Sequence, residues 1–416
     1  MRLVFKWKNY HHNEQLLALC KVTNNLYNQA LYLVLNTLET EQKWLFYNDL
    51  NKLMQVPPNL DGEVNYRLLK AQVAQQCLKL LDKNVKSYIK SVKDWGKNPS
   101  KYKGKPKLPH YRKKGGYNIL TYTNQACSVK DGRVWFSREL SVPIPQWDEM
   151  KDKLSTFQQV RVLPHADGTT TIEVVYITED VQSNVELDYD TAASIDLGVS
   201  NLVTLVMIGQ RPIIYSGAQL KSKNRWYNKE LARRKSELEK VNSKKSCRKT
   251  IELWEQRSRQ FDDVLHKVSR HIVNVLTQNK VGRLIIGYNE GWKDSIHIGK
   301  INNQTFIMLP HRRLIQMLLY KCKMCGIDCV CNEESYTSKC DALAREEICK
   351  HDIYEGRRIR RGLFQSSVGK LINADVNGAL NIMRKVVGDS ELITRIIDSG
   401  LLFRPLKFNN LYELSY

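Results

Sequence analysis

Two distant segments of this chain each place one carboxylate among apolar and small residues. In the first, residues 193–195 form an apolar strand pattern that ends in Asp196, and Gly198 then turns the chain. In the second, Asp375 opens an apolar helical pattern. Carboxylates beside an apolar core are costly, and two of them together repel each other unless divalent metal ions lie between them. The pair favours a metal-dependent phosphodiesterase, although each aspartate alone would also fit a turn or a helix cap.

A third carboxylate is expected, because a two-metal site takes one from a neighbouring strand. The candidates are Glu290, Glu333 and Glu334. Glu290 follows an apolar strand pattern but precedes a glycine, which is typical of a surface turn. Glu333 and Glu334 follow the strand pattern at 327–332, and side chains alternate between the two faces of a strand. Only one of these two can therefore point toward the site, and the residue types leave all three candidates open.

The elements that must position these carboxylates follow from the hydrophobic pattern. The sequence predicts a meander of three strands over residues 193–215, a helical stretch over 221–276, a strand at 283–288, a helix at 309–324 and a strand at 327–332. Three antiparallel strands followed by helices that alternate with strands is the ribonuclease H-like pattern.

The N-terminal half predicts two further parts. Residues 1–8 alternate weakly and predict a strand. Over residues 11–95, apolar side chains recur every three or four positions, which predicts helices packed along one seam. The Asp-Gly pairs at 131–132 and 167–168 stand between strand patterns and predict hairpin turns. Two hairpins so close together predict a small β-barrel of the OB type.

The chain is too basic for an ordinary enzyme of small metabolites. It has 65 Lys and Arg against 43 Asp and Glu in 416 residues, a net charge of +22. This excess predicts a polyanionic partner bound by counterion release, and since no amphipathic basic helix stands out, nucleic acid is favoured over a membrane. The N-terminus lacks the apolar segment of a signal peptide, and no apolar run reaches transmembrane length. A cytoplasmic protein is expected.

One segment, residues 97–114, concentrates the positive charge. It has eight Lys and Arg, no acidic residue, interleaved tyrosines and prolines that prevent a long helix. A charge run is usually a solvated face, but charge combined with stacking surfaces on an extended backbone suits RNA. The nucleic-acid contacts expected here are Lys101, Lys103, Lys105, Lys107, Arg112, Lys113 and Lys114.

Four closely spaced cysteines raise the question of a zinc site. They are Cys322, Cys325, Cys329 and Cys331. Four thiols within ten residues are tighter than the two separated knuckles of a zinc ribbon, and all four fit core positions of a helix and a strand. The spacing argues against zinc.

Four motifs carry a resemblance to a known family. They are SIDLGVSNL at 194–202, IIGYN at 285–289 followed by Trp292 and Lys293, YTSK at 336–339, and INADVNGALNI at 372–382. In these the chain resembles TnpB, the RuvC-like protein encoded by insertion sequences, which is related to type V CRISPR effectors and to Fanzor proteins. No single motif is specific, but the set is.

The resemblance implies an RNA-guided DNA endonuclease of a prokaryotic mobile element, nucleoid-associated when bound to DNA. Such a protein binds a guide RNA derived from the transposon end, recognises a short flanking motif and cuts double-stranded target DNA at one RuvC site. It also implies a multidomain α+β fold with three parts: a WED-like β-barrel over 1–10 and 96–188, a helical REC-like domain over 11–95, and a RuvC-like nuclease domain over 189–416 that contains a basic insert at 340–371.

The sequence departs from the family pattern at two places. The usual second RuvC acid would follow the strand that ends near Asn289, and some relatives supply it from a later strand instead, a position that Glu334 fits. The resemblance therefore favours Asp196, Glu334 and Asp375 as catalytic ligands of two Mg²⁺ ions, with Mn²⁺ as a substitute. Second, the two CxxC pairs of the family zinc ribbon are missing, so we expect an insert without zinc that still binds nucleic acid. Its expected contacts are Tyr336, Thr337, Ser338, Lys339, Arg357, Arg358, Arg360 and Arg361.

Alternative functions stay open at this point. A nuclease-inactive, RNA-guided repressor is kept open by Asn289 but disfavoured by the two aspartates. A CRISPR-associated type V effector cannot be separated by sequence. A transposase with a nucleophilic tyrosine is disfavoured because no His-x-His motif is present. A purely architectural nucleic-acid-binding protein would explain the charge but not the carboxylates.

Overall fold

The computed structural model describes residues 1–9, 13–59, 61–165, 167–178, 185–242, 247–289 and 308–414. The chain divides into two compact units, residues 1–179 and 180–416. None of the helices in these described ranges is both long and apolar enough to cross a bilayer.

Helices make up much of the first unit. They are α1 (Glu14–Glu41), α2 (Tyr47–Leu53), α3 (Ala71–Lys97) and α4 (Trp147–Leu154), with a 3₁₀ turn at Pro99–Lys101. Helix α1 begins after Asn13, whose side chain accepts a hydrogen bond from the Leu16 amide at 3.1 Å, as an N-cap does. The apolar seam expected in α3 is buried, including Ala74, Leu78 and Leu81.

The strands of the first unit form two sheets. They are β1 (Arg2–Asn9), β2 (Leu120–Thr123), β3 (Ser128–Lys130), β4 (Arg133–Trp135), β5 (Ser141–Pro143), β6 (Phe157–Pro164) and β7 (Thr170–Ile177). Both expected hairpins are confirmed, and the β3–β4 turn has positive φ at Asp131 and Gly132, as a type I′ turn requires.

The strands expected to form one small barrel are instead divided between an antiparallel sheet in the order β1-β7-β6-β2 and a separate sheet β3-β4-β5. Strands β3, β4 and β5 are only three residues long, and they pair with one another in one local meander. A continuous hydrophobic core joins the helices to both sheets, so Leu26 and Leu78 belong to the same core as Val134 and Val160.

The second unit is built on a sheet of six strands. Its strands are β8 (Asp188–Leu197), β9 (Asn201–Met207), β10 (Ile213–Ser216), β11 (Val281–Gly287), β12 (Asp328–Asn332) and β16 (Leu406–Phe408), arranged as β12-β11-β8-β9-β10-β16. The antiparallel meander β8–β9–β10 predicted from the sequence is confirmed, and β11 and β12 join it in parallel.

Helices cover both faces of this sheet. They are α5 (Ala218–Asn242), α6 (Arg248–Gln278), α7 (His311–Met324), α8 (Ala374–Val387) and α9 (Glu391–Asp398), with a 3₁₀ turn at Leu401–Phe403. The alternating side chains of β8 explain the two layers: Ala193 and Ile195 pack with α6 and α7, whereas Ala192 packs with α8. The Ser194 hydroxyl donates to the Ala379 carbonyl oxygen at 2.6 Å and so fixes α8 to the sheet.

The expected basic insert, residues 340–371, contains β13 (Arg357–Arg360) and β14 (Leu363–Gln365), and β15 (Leu371–Asn373), which extends two residues past it, completes a small antiparallel sheet. A fully buried carboxylate, that of Asp341, ties this insert together. Asp341 Oδ1 accepts from the Leu343 amide at 3.1 Å, and Oδ2 accepts from the Ser367 amide at 2.7 Å and its hydroxyl at 3.2 Å. Strand β15 runs into α8 without a loop.

Candidate active site

Three of the predicted carboxylates come from different elements that meet at one edge of the six-stranded sheet. Asp196 is the penultimate residue of β8, Glu334 lies two residues beyond β12, and Asp375 is in the first turn of α8. Because β8, β11 and β12 are parallel, their carboxyl ends lie at the same edge. This is the edge at which open sheets of this kind bind ligands.

Electrostatics shows that the three carboxylates are neighbours. The pKa of Asp196 is well above its ordinary value, first because the surrounding protein removes solvent and then because of the charges of Asp375 and Glu334. The Arg358 guanidinium and the Leu197 amide oppose this rise. The site therefore concentrates more negative charge than its neighbouring cations balance, which is the property of a cation-binding site.

A glycine lets α8 approach the end of β8. A Cβ atom at Gly378 would stand 3.0 Å from Asp196 Oδ2, closer than nine in ten real contacts of a Cβ atom, so a larger residue would shift the carboxylate by a few tenths of an ångström. Close approach, and not backbone conformation, therefore favours glycine here, since glycine in a helix interior otherwise destabilises the helix.

Asp375 is free of the capping role that its position suggested. Asn373 is the N-cap of α8, and its Oδ1 accepts from the amides of Asp375 at 2.9 Å and Val376 at 3.3 Å. The Asp375 carboxylate instead accepts from Asn201 Nδ2 at 2.6 Å and faces an Arg358 guanidinium nitrogen at 3.7 Å. Asn201 was missed as a site residue, although it lies within the SIDLGVSNL motif, and Arg358 was predicted only as a nucleic-acid contact and not as a partner of Asp375.

The structure separates the two adjacent glutamates. Glu333 is exposed and forms an ion pair with Lys385 at 2.6 Å, which lowers its pKa. Glu334 turns inward, and burial, with a smaller contribution from the Glu333 charge, raises its pKa to about 7. Glu334 is thus the glutamate of this pair that joins Asp196 and Asp375. The third candidate, Glu290, lies outside the described residues, as do Trp292 and Lys293.

The turn that follows Glu334 corrects one expectation. Thr337 is 4% exposed, and its hydroxyl donates to the Glu334 carbonyl oxygen at 2.8 Å. It supports the turn instead of facing nucleic acid, because a hydroxyl after a strand end readily bonds the nearby backbone. Its neighbours Tyr336, Ser338 and Lys339 are exposed.

The arginines of the insert lie beside the carboxylates. All four residues of β13 are exposed, and Arg358 reaches Asp375 as described. Arg361 donates to the Ser200 hydroxyl at 2.6 Å, only a few residues from Asp196 along the chain. Arg357 donates to the Gln365 side chain at 3.2 Å, and Arg360 is exposed. The basic strand thus borders the carboxylate site.

In the first unit, the lysines of the basic segment are exposed: Lys101, Lys103, Lys105, Lys107, Lys113 and Lys114. Arg112 differs, because its guanidinium lies 4.4 Å from the centre of the Tyr27 ring and its amide donates to Asn28 Oδ1 at 2.8 Å. Arg112 therefore anchors the segment to α1, and the lysines supply the accessible charge.

The cysteine cluster has a more ordinary environment. Cys322 is buried in α7, and a hydrogen bond with Cys329 of β12, followed by burial, raises its pKa. A raised thiol pKa disfavours the thiolate that binds zinc. Across the described ranges, no three His, Cys, Asp or Glu side chains are arranged as they stand to hold a metal ion.

Comparison with known proteins identifies relatives across this site. Residues 175–293, which contain Asp196, match the OrfB_IS605 family, described as a probable transposase. Residues 311–382, which contain Glu334 and Asp375, match the Cas12f1-like TNB domain. The TnpB-like protein ORF457 of Acidianus two-tailed virus is 26% identical over 204 residues, 47% of this chain and 42% of that protein. This chain is similar in sequence to a TnpB-like protein.

The expected resemblance is thereby confirmed, and the match spans less than half of the length of the TnpB relative. Solved structures with a similar chain include a Cas12f1 complex with guide RNA and target DNA, at 17% identity and a TM-score of 0.36, covering 92% of this chain and 98% of that one. Another is C2c1 of Alicyclobacillus acidoterrestris with single-guide RNA, at 10% identity and a TM-score of 0.39, covering 91% and 70% of the two chains.

Proposed function

We propose that this TnpB-related chain is an RNA-guided DNA endonuclease that hydrolyses phosphodiester bonds of double-stranded DNA at a single carboxylate site. The observation that carries the proposal is the convergence of Asp196, Glu334 and Asp375, from three separate elements, next to a strand of exposed arginines. Neither a purely architectural protein nor a small-molecule enzyme needs both features. The resemblance to TnpB supplies the RNA-guided part of the proposal.

The residues present have the donor chemistry of a site for divalent metal ions, the group that the family implies, although the three carboxylates are not arranged as they stand to hold one. Three carboxylates are hard oxygen donors, which Mg²⁺ and Mn²⁺ prefer. Burial is the main cause that raises the pKa of Asp196, and the charges of Asp375 and Glu334 raise it further, so a bound cation would relieve both effects. Arg358, 3.7 Å from Asp375, is a cation that stands in for part of the missing charge. Two Mg²⁺ ions would supply activation of a water molecule and stabilisation of the leaving 3′ oxygen.

The chain's own residues prepare this site. Asn201 fixes one oxygen of Asp375 through its 2.6 Å hydrogen bond. Gly378 lets helix α8 pack directly against the Asp196 carboxylate. Arg358 must leave Asp375 before that carboxylate can serve as a ligand, and its guanidinium is then free to bind a phosphate of the scissile strand, to which it is well suited.

The remaining parts of the chain provide the nucleic-acid interface in this proposal. The exposed lysines of residues 101–114 bind the guide RNA or its duplex with DNA through backbone charge. The exposed Tyr336, Ser338 and Lys339, with the arginines of β13, hold the DNA strand that is cut. The first unit corresponds to WED-like and REC-like parts and the second unit to the RuvC-like nuclease, acting in a prokaryotic cytoplasm.

The test uses the full chain expressed with its own downstream flanking DNA, so that a native guide RNA copurifies. The purified complex is mixed in Mg²⁺ with a plasmid that carries the matched target beside a randomised flank. We expect the wild type and Glu333→Ala to cut, and Asp196→Ala and Glu334→Ala to bind RNA and target without cutting. Glu333→Ala is a matched control because it removes the adjacent carboxylate that points away.

Two results would contradict the proposal. Cutting by Asp196→Ala at the wild-type rate would remove the carboxylate site from the reaction. Bound RNA and bound target without cutting by the wild type would favour an RNA-guided repressor that has lost its nuclease activity.

A further inference from the structure

The ends of β11 and β12 lie side by side, and their pairing continues beyond both strands. Gly287 is opposite Asn332, and the Tyr288 amide donates to the Asn332 carbonyl oxygen at 2.9 Å. This register brings Asn289, two residues beyond β11, next to Glu334, two residues beyond β12. The segment that follows β11 therefore adjoins the glutamate proposed as the third ligand.

The Asn289 side chain holds the backbone of Glu334. Asn289 Oδ1 accepts from the Glu334 amide at 3.0 Å, a bond that replaces the strand pairing that has ended there. On the other side of the residue, the Glu334 carbonyl oxygen accepts from the Thr337 hydroxyl at 2.8 Å and from its amide at 3.3 Å. With both backbone polar groups bonded, the direction in which the Glu334 side chain leaves the chain is fixed.

Gly287 provides the space into which that side chain folds. A Cβ atom at Gly287 would lie 2.8 Å from Glu334 Oε2 and would also collide with Ile382 Cδ1. The carboxylate of Glu334 therefore lies back over the end of β11, in the volume that any larger residue at 287 would fill. Glycine is the residue that leaves this volume open.

We propose that Asn289 and Gly287 are positioning residues that keep the Glu334 carboxylate beside those of Asp196 and Asp375. An amide at 289 supplies the acceptor without adding another negative charge beside three carboxylates. This inference rests on the proposed function, because it assumes that Glu334 binds the metal ion.

The first test measures Mn²⁺ binding to the metal-free full chain by the electron paramagnetic resonance signal of free Mn²⁺, which does not depend on cleavage. Asn289→Leu keeps the size of the side chain and removes the acceptor, and we expect roughly tenfold weaker Mn²⁺ binding, the usual effect of one lost hydrogen bond. Asn289→Asp keeps the acceptor and should bind Mn²⁺ at least as tightly as the wild type.

The same change in a Glu334→Gln background shows whether Asn289 acts through Glu334. We expect Glu334→Gln alone to weaken binding and Asn289→Leu to add nothing further, as two members of one unit should behave. Equal tenfold losses in both backgrounds, or wild-type binding by Asn289→Leu, would overturn the inference and leave the proposed function intact. Wild-type binding by Glu334→Gln would instead overturn both.

Gly287 is tested separately, in an Ile382→Ala background that removes both the Cδ1 and the Cγ1 atoms and leaves Glu334 as the one close contact found for the new Cβ. We expect Ile382→Ala alone to bind Mn²⁺ normally, and Gly287→Ala with Ile382→Ala to lose binding as fully as Glu334→Gln does. Circular dichroism of the metal-free variants checks that the fold is retained. Undiminished binding by the double variant would refute the role of Gly287.

Discussion

The two adjacent glutamates should respond in opposite ways when each is neutralised. The pKa of Glu334 is raised from 4.5 to about 7, whereas that of Glu333 is lowered by Lys385. In the metal-free protein the charged form of Glu334 therefore destabilises the fold, and the charged form of Glu333 stabilises it. Replacing each by glutamine removes these effects one at a time, without changing the size of the side chain.

The magnitude follows from the pKa difference. A rise from 4.5 to about 7 corresponds to about 3 kcal/mol at 1.36 kcal/mol per pKa unit, which we reduce to about 1–2 kcal/mol because Glu334 retains some contact with solvent. The folded pKa lies above the unfolded one, so the destabilisation is absent below pH 4.5, grows between pH 4.5 and 7, and is complete above pH 7. Glu334→Gln should accordingly be more stable than the wild type at pH 8.

The assay is calorimetry of thermal unfolding of the full chain in a chelator, followed at pH 8 and pH 5.5 and then repeated in Mg²⁺. In chelator at pH 8, Glu334→Gln should unfold several degrees above the wild type, at roughly 2–4 °C per kcal/mol, with a gain about half as large at pH 5.5. In Mg²⁺ the wild type should unfold at a higher temperature than Glu334→Gln, because bound Mg²⁺ stabilises the wild type and the variant lacks one of the carboxylates that bind it.

Glu333→Gln is the control for this prediction. It loses an exposed ion pair with Lys385, so it should unfold slightly earlier than the wild type in both conditions, by less than about 1 kcal/mol. If Glu334→Gln unfolds before the wild type in chelator at pH 8, or if the two variants behave alike, the assignment of Glu334 as the inward glutamate is wrong.

Three further outcomes follow from single contacts. Gly378→Ala should slow cleavage but not weaken RNA binding, since its Cβ would stand 3.0 Å from Asp196 Oδ2 and displace that carboxylate. Agarose-gel cleavage and filter-binding assays measure the two activities, and normal cleavage would contradict the close approach. Lys321 is buried, which lowers its pKa to about 8, and its ammonium donates to the His266 carbonyl oxygen at 2.8 Å and to the Ser269 hydroxyl at 2.7 Å. The melting temperature of Lys321→Met relative to the wild type should therefore fall as the pH rises from 7 toward 10, and a difference independent of pH would argue against a buried charge. Asp341→Ala leaves the Ser367 amide without its acceptor and should destabilise the insert by about 2–4 kcal/mol. Faster hydrogen exchange over residues 340–371 would detect this loss, and unchanged exchange would show that the buried carboxylate is dispensable.

The sequence predicted best what depends on local pattern. The meander of β8, β9 and β10 and the turn at Asp131 follow from alternation and from residues that accept positive φ. The strand at 327–332 and its two trailing glutamates were also visible, together with the rule that only one of them can face inward. These features need only neighbouring residues to be specified.

What the sequence did not reveal depends on contacts between distant residues. The pairing of Arg358 with Asp375 has no signature in either segment, because a basic run is usually only a solvated surface. The bond between Asn289 and the Glu334 amide requires knowledge of the register between β11 and β12. The strands that were predicted to form one barrel belong to two sheets. Strand propensity does not reveal this, because tertiary packing decides which strands pair.

The direct junction between β15 and α8 connects the insert, proposed to bind nucleic acid, to Asp375, proposed to bind metal, without an intervening loop. Asn373 ends the strand and caps the helix, so no flexible residue separates the insert from Asp375. A movement of the insert sheet must therefore also reorient that carboxylate. If DNA binds the arginine strand and cations bind the carboxylates, as proposed, the two occupancies are thermodynamically linked, and each changes the affinity for the other by the same factor.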